Sequence, residues 1–157
     1  MLNRRQTILF VVPALVGALF GACNYNNVRP RTVPSRSTVG VQLREFQVVV
    51  EKSPLPSGSI TFRVRNLGPK NNHEFVVAKT ALAPNKLPTL SNGSVNEDGP
   101  GITLLGELAA FGPGKTMSKT FDLAKGNYVL FCNRVESTSG KRLVHYKLGM
   151  RIGLNIT

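Results

Sequence analysis

The chain has 157 residues, 41% of them hydrophobic, and a formal net charge of +12. That length bounds it to one domain, and with only two histidines and two cysteines little is left for catalytic clusters or a disulfide framework. The basic balance suits nucleic acid, anionic lipid or an acidic protein partner, but no aromatic-interleaved basic motif of the kind that stacks bases occurs.

Residues 1–22 read as a secretory signal: Arg4 and Arg5 form a positive n-region, and Thr7 to Ala22 is an apolar run too short for a span of roughly 20 residues. Phe20 is too large for ordinary cleavage after Ala22, and "ALFGAC" is closer to a bacterial lipobox that would lipidate Cys23 and anchor the chain to a membrane facing the periplasm or cell exterior. An uncleaved anchor, or cleavage nearby with Cys23 left as a free thiol in a soluble periplasmic protein, is the alternative. Export argues further against nucleic acid as a partner. Residues 23–40 contain "NYNNVRPRTVPSRSTVG", which lacks apolar periodicity and predicts a flexible tether. Its Arg29, Arg31 and Arg36 would be drawn to an anionic membrane surface.

Residues 41–157 are long enough for one β-sandwich with a hydrophobic core. A first strand is predicted over Val41 to Glu51. "GSITFRVRN" alternates, placing Ile60, Phe62 and Val64 on one face and Thr61, Arg63 and Arg65 on the other, the period-two pattern of a half-buried strand. Further strands are predicted at Glu74–Ala78, Thr103–Phe111, Thr116–Leu123 and Asn127–Asn133, the later ones separated by "GPGK" and "AKGN" turns. Lys79 to Gly101 is irregular and has room for a short helix. The last strand, "MRIGLNIT", puts Met150, Ile152, Leu154 and Ile156 on one face. The pattern predicts an all-β, antiparallel Greek-key sandwich.

The stretch "LFCNRVESTSGKRLVHYKLGM" gathers Cys132, His145 and Met150, while His73 opens an earlier strand. With Cys23 lipidated, Cys132 has no disulfide partner, and an unpaired thiol in an exported protein is either buried and inert or coordinated. One thiolate, two imidazoles and a thioether form a ligand set for copper in electron transfer, with Cys and two His in a trigonal plane and a weak axial Met. Zinc sites rarely recruit Met, and no Ser-His-Asp set can be assembled without spending one of these residues.

"NNHEFVVAKTALAPNKLP", "GELAAFGPGKT", "GNYVLFCN" and "HYKLGM" resemble the plastocyanin/azurin-type blue copper family, the cupredoxins, over nearly all of residues 41–157. The resemblance implies a mononuclear type 1 copper site with His73 and His145 as imidazoles, Cys132 as thiolate and Met150 as axial ligand, and a non-enzymatic electron carrier. The departure is the Cys–His spacing: twelve residues, Asn133 to Val144, stand where the relatives usually have four. A longer loop adds little closure entropy, about 0.6 kcal/mol per doubling, and "ESTSG" predicts an exposed excursion. Lys141, Arg142 and Lys147 are expected to ring a solvent-facing edge of His145 and steer an acidic redox partner. Copper delivery by a surface lipoprotein, or a metal-free binding module, are the rival readings.

Overall fold

The computed structural model describes residues 35–138 and 140–157. In chain order the strands are β1 (Ser35–Arg44), β2 (Gln47–Val50), β3 (Gly58–Gly68), β4 (His73–Lys79), β5 (Thr103–Phe111), β6 (Thr116–Leu123), β7 (Gly126–Phe131), β8 (Val135–Thr138), β9 (Lys141–Val144) and β10 (Arg151–Ile156). One sheet has the order β2–β1–β3–β6, the second β10–β7–β4–β5, and β8 and β9 form a separate ribbon. Because the chain passes between the sheets after β3, β5 and β6, it interleaves them in Greek-key fashion. The all-β sandwich expected from the sequence is thus present, although β1 runs parallel to β3 while the other paired strands are antiparallel.

The period-two pattern decides which side chains face inward. Ile60, Phe62 and Val64 of β3 are fully buried and meet Val39, Val41 and Leu43 of β1 and Phe75, Val77 and Leu130 of the opposite sheet in one core. Phe62 anchors it, packing edge-on to Phe75 at 5.3 Å between ring centroids; aromatic pairs prefer this geometry because their negative faces attract positive ring edges. The strands β4 and β7 are buried on both sides. Val76, Ala78, Val129 and Phe131 point away from the main core into a second cluster with Leu87, Val95 and Tyr146. The irregular section between β4 and β5 supplies Leu87 and Val95 to that cluster and covers the outer face of the sheet. No helix occurs there; turns and a single bridge between Thr89 and Val95 shape it instead.

Three boundaries differ from the sequence reading. Strand structure is present within the predicted tether, because Ser35–Gly40 is in β1, paired with Gly58–Arg63 and buried through Val39. The predicted strand Val41–Glu51 is a hairpin, broken by a turn at Glu45 and Phe46. The expected excursion after Cys132 is the β8–β9 hairpin, in register from Val135↔Val144 to Thr138↔Lys141. The signal, Cys23 and the first part of the tether lie outside the described residues. Among those described, no helix is long and apolar enough to cross a membrane.

Candidate metal centre

One pole of the sandwich collects the end of β7, the starts of β4 and β10, the β1–β2 turn and the base of the β8–β9 hairpin. His73 is the first residue of β4 and shares the inward face with Phe75 and Val77, so strand alternation alone aims it at the core. Cys132 follows the last residue of β7 and continues the inward series Tyr128, Leu130. Its backbone N–H donates to the Met150 carbonyl at 3.0 Å, which continues the β7–β10 ladder by one residue. His145 to Gly149 make a tight turn, closed by the Met150 N–H donating to the His145 carbonyl at 3.0 Å. Gly149 adopts φ +119°, and a Cβ there would lie 3.2 Å from the Phe46 carbonyl oxygen. Both the backbone angle and the close approach favour glycine.

The hairpin explains how twelve residues can separate Cys132 from His145 without separating the side chains. It folds back on itself, and at its base the His145 N–H donates to the Arg134 carbonyl at 3.0 Å. The extra chain therefore projects from the site while its two ends stay neighbours.

His73 Nδ1 lies 3.2 Å from His145 Nδ1, which in turn lies 3.4 Å from Cys132 Sγ. One donor atom from each of the three residues falls within 4.8 Å of the others, and all three side chains are fully buried. Met150 is also fully buried, in the same core cluster as Cys132. Both imidazole Nε2 atoms are buried without a hydrogen-bond partner. Three soft or borderline donors facing one point, two of them on rings whose outer nitrogens have no hydrogen-bond partner, fit a metal ion better than they fit a core. Without a cation, two ring nitrogens and a thiol crowd within 4.8 Å of one another.

Burial sets the electrostatics. It pushes the Cys132 thiol up to about 12, against backbone N–H groups of Arg134 and Glu74 that favour the thiolate. Desolvation, helped by neighbouring His145, lowers His73 to about 4, and desolvation lowers His145 as well. At neutral pH the histidines are thus uncharged and ready to ligate, whereas the cysteine must lose a proton first. Glu74 is raised to about 7 by burial, against an N–H from Asn133 that lowers it.

Several supporting residues were not singled out by the sequence. Asn133 binds the Val95 backbone through both ends of its amide, at 2.6 and 3.0 Å, and ties the ligand loop to the irregular section. The Tyr146 hydroxyl donates to Pro84 O at 2.8 Å and accepts from Leu87 N at 3.1 Å, making a second tie. The buried Asn66 amide donates to Asn71 O and Phe111 O and accepts from Gly68 N, which fixes the turn leading to His73. For Asn133, Tyr146 and Glu74, adjacency to a ligand in the sequence was the signal that could have pointed to them; Asn66 carried none.

One expectation about the site is corrected. His145 has no solvent-facing edge: it is 0% exposed, with Phe46 packed edge-on at 5.0 Å and the Glu136 carboxylate 3.9 Å from Nε2. Lys141, Arg142 and Lys147 are exposed, but the imidazole they were expected to ring is covered. Arg134 is engaged with Glu136 at 2.8 Å, and Arg151 donates to the Tyr146 carbonyl while stacking on the Tyr146 ring.

The two-sheet topology and the polar cluster buried at one pole define the cupredoxin fold. Among solved structures, auracyanin A, a "blue" copper protein from the green thermophilic photosynthetic bacterium Chloroflexus aurantiacus, superposes with a TM-score of 0.51 at 17% identity, covering 78% of this chain and all of the other. Auracyanin B gives 0.51 at 20% identity over 80% and 91%. Rusticyanin from Thiobacillus ferrooxidans gives 0.53 at 13% identity over 78% and 79%. At these identities the likeness is one of fold. No protein-family model and no curated protein matches the sequence.

Proposed function

We propose that the protein is a mononuclear blue copper protein carrying single electrons between redox partners outside the cytoplasm. The convergence of His73 Nδ1, Cys132 Sγ and His145 Nδ1 on one buried point carries the reading, and Met150, buried in the same core cluster as Cys132, would supply the thioether. Copper held there supplies a one-electron Cu(I)/Cu(II) couple, for which a thiolate, two imidazoles and a weak thioether are the suited donors. The chain's own part is to fix those donors on strand ends and a tight turn, so that neither oxidation state rearranges them, and to exclude water by complete burial. The likeness of fold to auracyanin A, itself a blue copper protein, supports the same conclusion.

Adding Cu(II) to the purified protein is expected to produce an intense visible absorption from the Cys132–copper bond. The band should bleach on reduction and return on reoxidation, and the Cys132→Ser variant should lack it. Copper uptake without a reversible band would indicate copper delivery instead, and no uptake a metal-free module.

The setting rests on the sequence. Residues 1–22 act as an export signal, Cys23 as a lipid attachment point and the basic tether as a contact with the membrane surface. Exposed Lys141 and Arg142 at the far end of β9, with Lys147 beside Tyr146, offer an acidic redox protein a basic landing area. The Lys141→Gln/Arg142→Gln double variant is expected to slow electron transfer several-fold at low ionic strength and little at high, since salt screens exposed charges. A rate ratio that does not change with salt removes the steering role.

A further inference from the structure

The two carboxylates facing the imidazoles are the strongest feature that the copper reading does not use. Glu45, in the β1–β2 turn, has Oε1 3.9 Å from His73 Nε2. Glu136, on β8, has Oε2 3.9 Å from His145 Nε2. Each carboxylate is anchored by further contacts. Glu45 Oε1 accepts N–H groups of Lys70 at 2.8 Å and Asn71 at 2.5 Å, and Glu136 Oε1 is gripped by the Arg134 guanidinium at 2.8 and 2.9 Å. Both are largely shielded, at 14% and 19% exposure. The two ring nitrogens they face are buried and have no hydrogen-bond partner, and each carboxylate stands about 1 Å beyond hydrogen-bond length.

We propose that Glu45 and Glu136 are positioning residues that hold His73 and His145 in the Nε2–H tautomer, so that both Nδ1 lone pairs are presented to one metal ion. The physical reason is a choice of proton position. A neutral imidazole carries one N–H; beside a carboxylate the proton is favoured on the near nitrogen, because a bare lone pair there would be repelled. With Nε2 protonated in both rings, the two Nδ1 atoms 3.2 Å apart oppose lone pair to lone pair, an arrangement that a cation relieves. The β8–β9 hairpin then has a role beyond spacing: it carries to His145 an anion that a shorter loop would not bring. Orienting partners of this kind typically change metal affinity 10–100-fold.

The inference rests on the reading of this pole as a metal site, and its test separates the two. Metal-free wild type and the Glu45→Ala, Glu45→Gln, Glu136→Ala and Glu136→Gln variants would be compared at pH 8 by ¹⁵N NMR of the histidine rings and by competition for Zn(II). Glu136→Ala is expected to shift His145 alone toward Nδ1–H, and Glu45→Ala to shift His73 alone. Each should weaken Zn(II) binding 10–100-fold, with the Gln variants, whose carbonyl still accepts the N–H, retaining the tautomer and most of the affinity. Where an Ala variant does not fold, the corresponding Glu45→Leu or Glu136→Leu variant, which fills the space but offers no acceptor, replaces it in both readouts. Unchanged tautomers in the variants lacking an acceptor, or equal damage from Gln and from those variants, overturns the proposal. A wild-type protein lacking the visible band would count against copper while leaving the tautomer and zinc results standing.

Discussion

Cu(II) binding is expected to tighten about tenfold for each unit of pH between 7.5 and 9, or ~30-fold across that range, because one proton must leave Cys132 for each ion bound. The slope follows from burial. The thiol sits at 0% exposure and is pushed up to about 12, so throughout this range the metal-free protein holds the proton that the thiolate ligand must give up. The imidazoles add nothing to the slope, since His73 is lowered to about 4 and His145 is also lowered. Glu74, raised to about 7, is mostly ionised above pH 7.5; below that its protonation near the site adds to the slope. The measurement is competition against a chelator whose own proton dependence is known, or calorimetry in buffers of different protonation enthalpy to count the proton directly. Cys132→Ser should flatten the dependence. A flat dependence in the wild type would mean that Cys132 is already ionised or is not a ligand.

The residues that made the site legible are those whose chemistry is rare in this chain. Cys132, His145 and Met150 stand close together in sequence and with His73 make a recognisable ligand set; strand alternation turns His73 inward with Phe75, and the structure brings His73, Cys132 and His145 within 4.8 Å of one another. The same alternation gave β3, whose Ile60, Phe62 and Val64 are all at 0% exposure. What escaped has a common cause: elements that do not face the core carry no apolar period. The β8–β9 hairpin stands outside both sheets, its residues intermediate or exposed, so "VEST" and "KRLV" offered only a turn signal between them. The first turns of β1 were obscured likewise, because between Ser35 and Gly40 only Val39 is buried. Glu45, Phe46 and Glu136 belong to a third kind. Each acts alone, its importance set by a neighbour distant in sequence, and no local pattern marks a carboxylate that will face a buried imidazole.

Acidifying the metal-free protein from pH 8 to pH 5 is expected to change its stability little, and replacing Glu74 with Gln should make the same acidification costly. His73 is held below its unfolded value of 6.5, at about 4. Between those values the unfolded chain binds a proton that the folded one refuses, so stability is present above pH 6.5 and is lost as pH falls toward 4. At pH 5 the loss from His73 alone is on the order of 2 kcal/mol, and His145, also lowered, acts in the same direction. Glu74 acts in the opposite one. Its folded value is raised from 4.5 to about 7, so the folded protein keeps a proton that the unfolded chain has lost, and stability falls as pH rises from 4.5 through 7. Between pH 5 and 7 the carboxyl therefore offsets the imidazoles. Gln at position 74 removes only the carboxyl's contribution, leaving a variant more stable than wild type at pH 8 and on the order of 2 kcal/mol less stable at pH 5 than at pH 8. Urea midpoints of the two metal-free proteins at pH 5, 6.5 and 8 measure this directly. Parallel pH dependences would show that Glu74 is ionised throughout and that its carboxylate is better solvated than its position beside Asn133 implies.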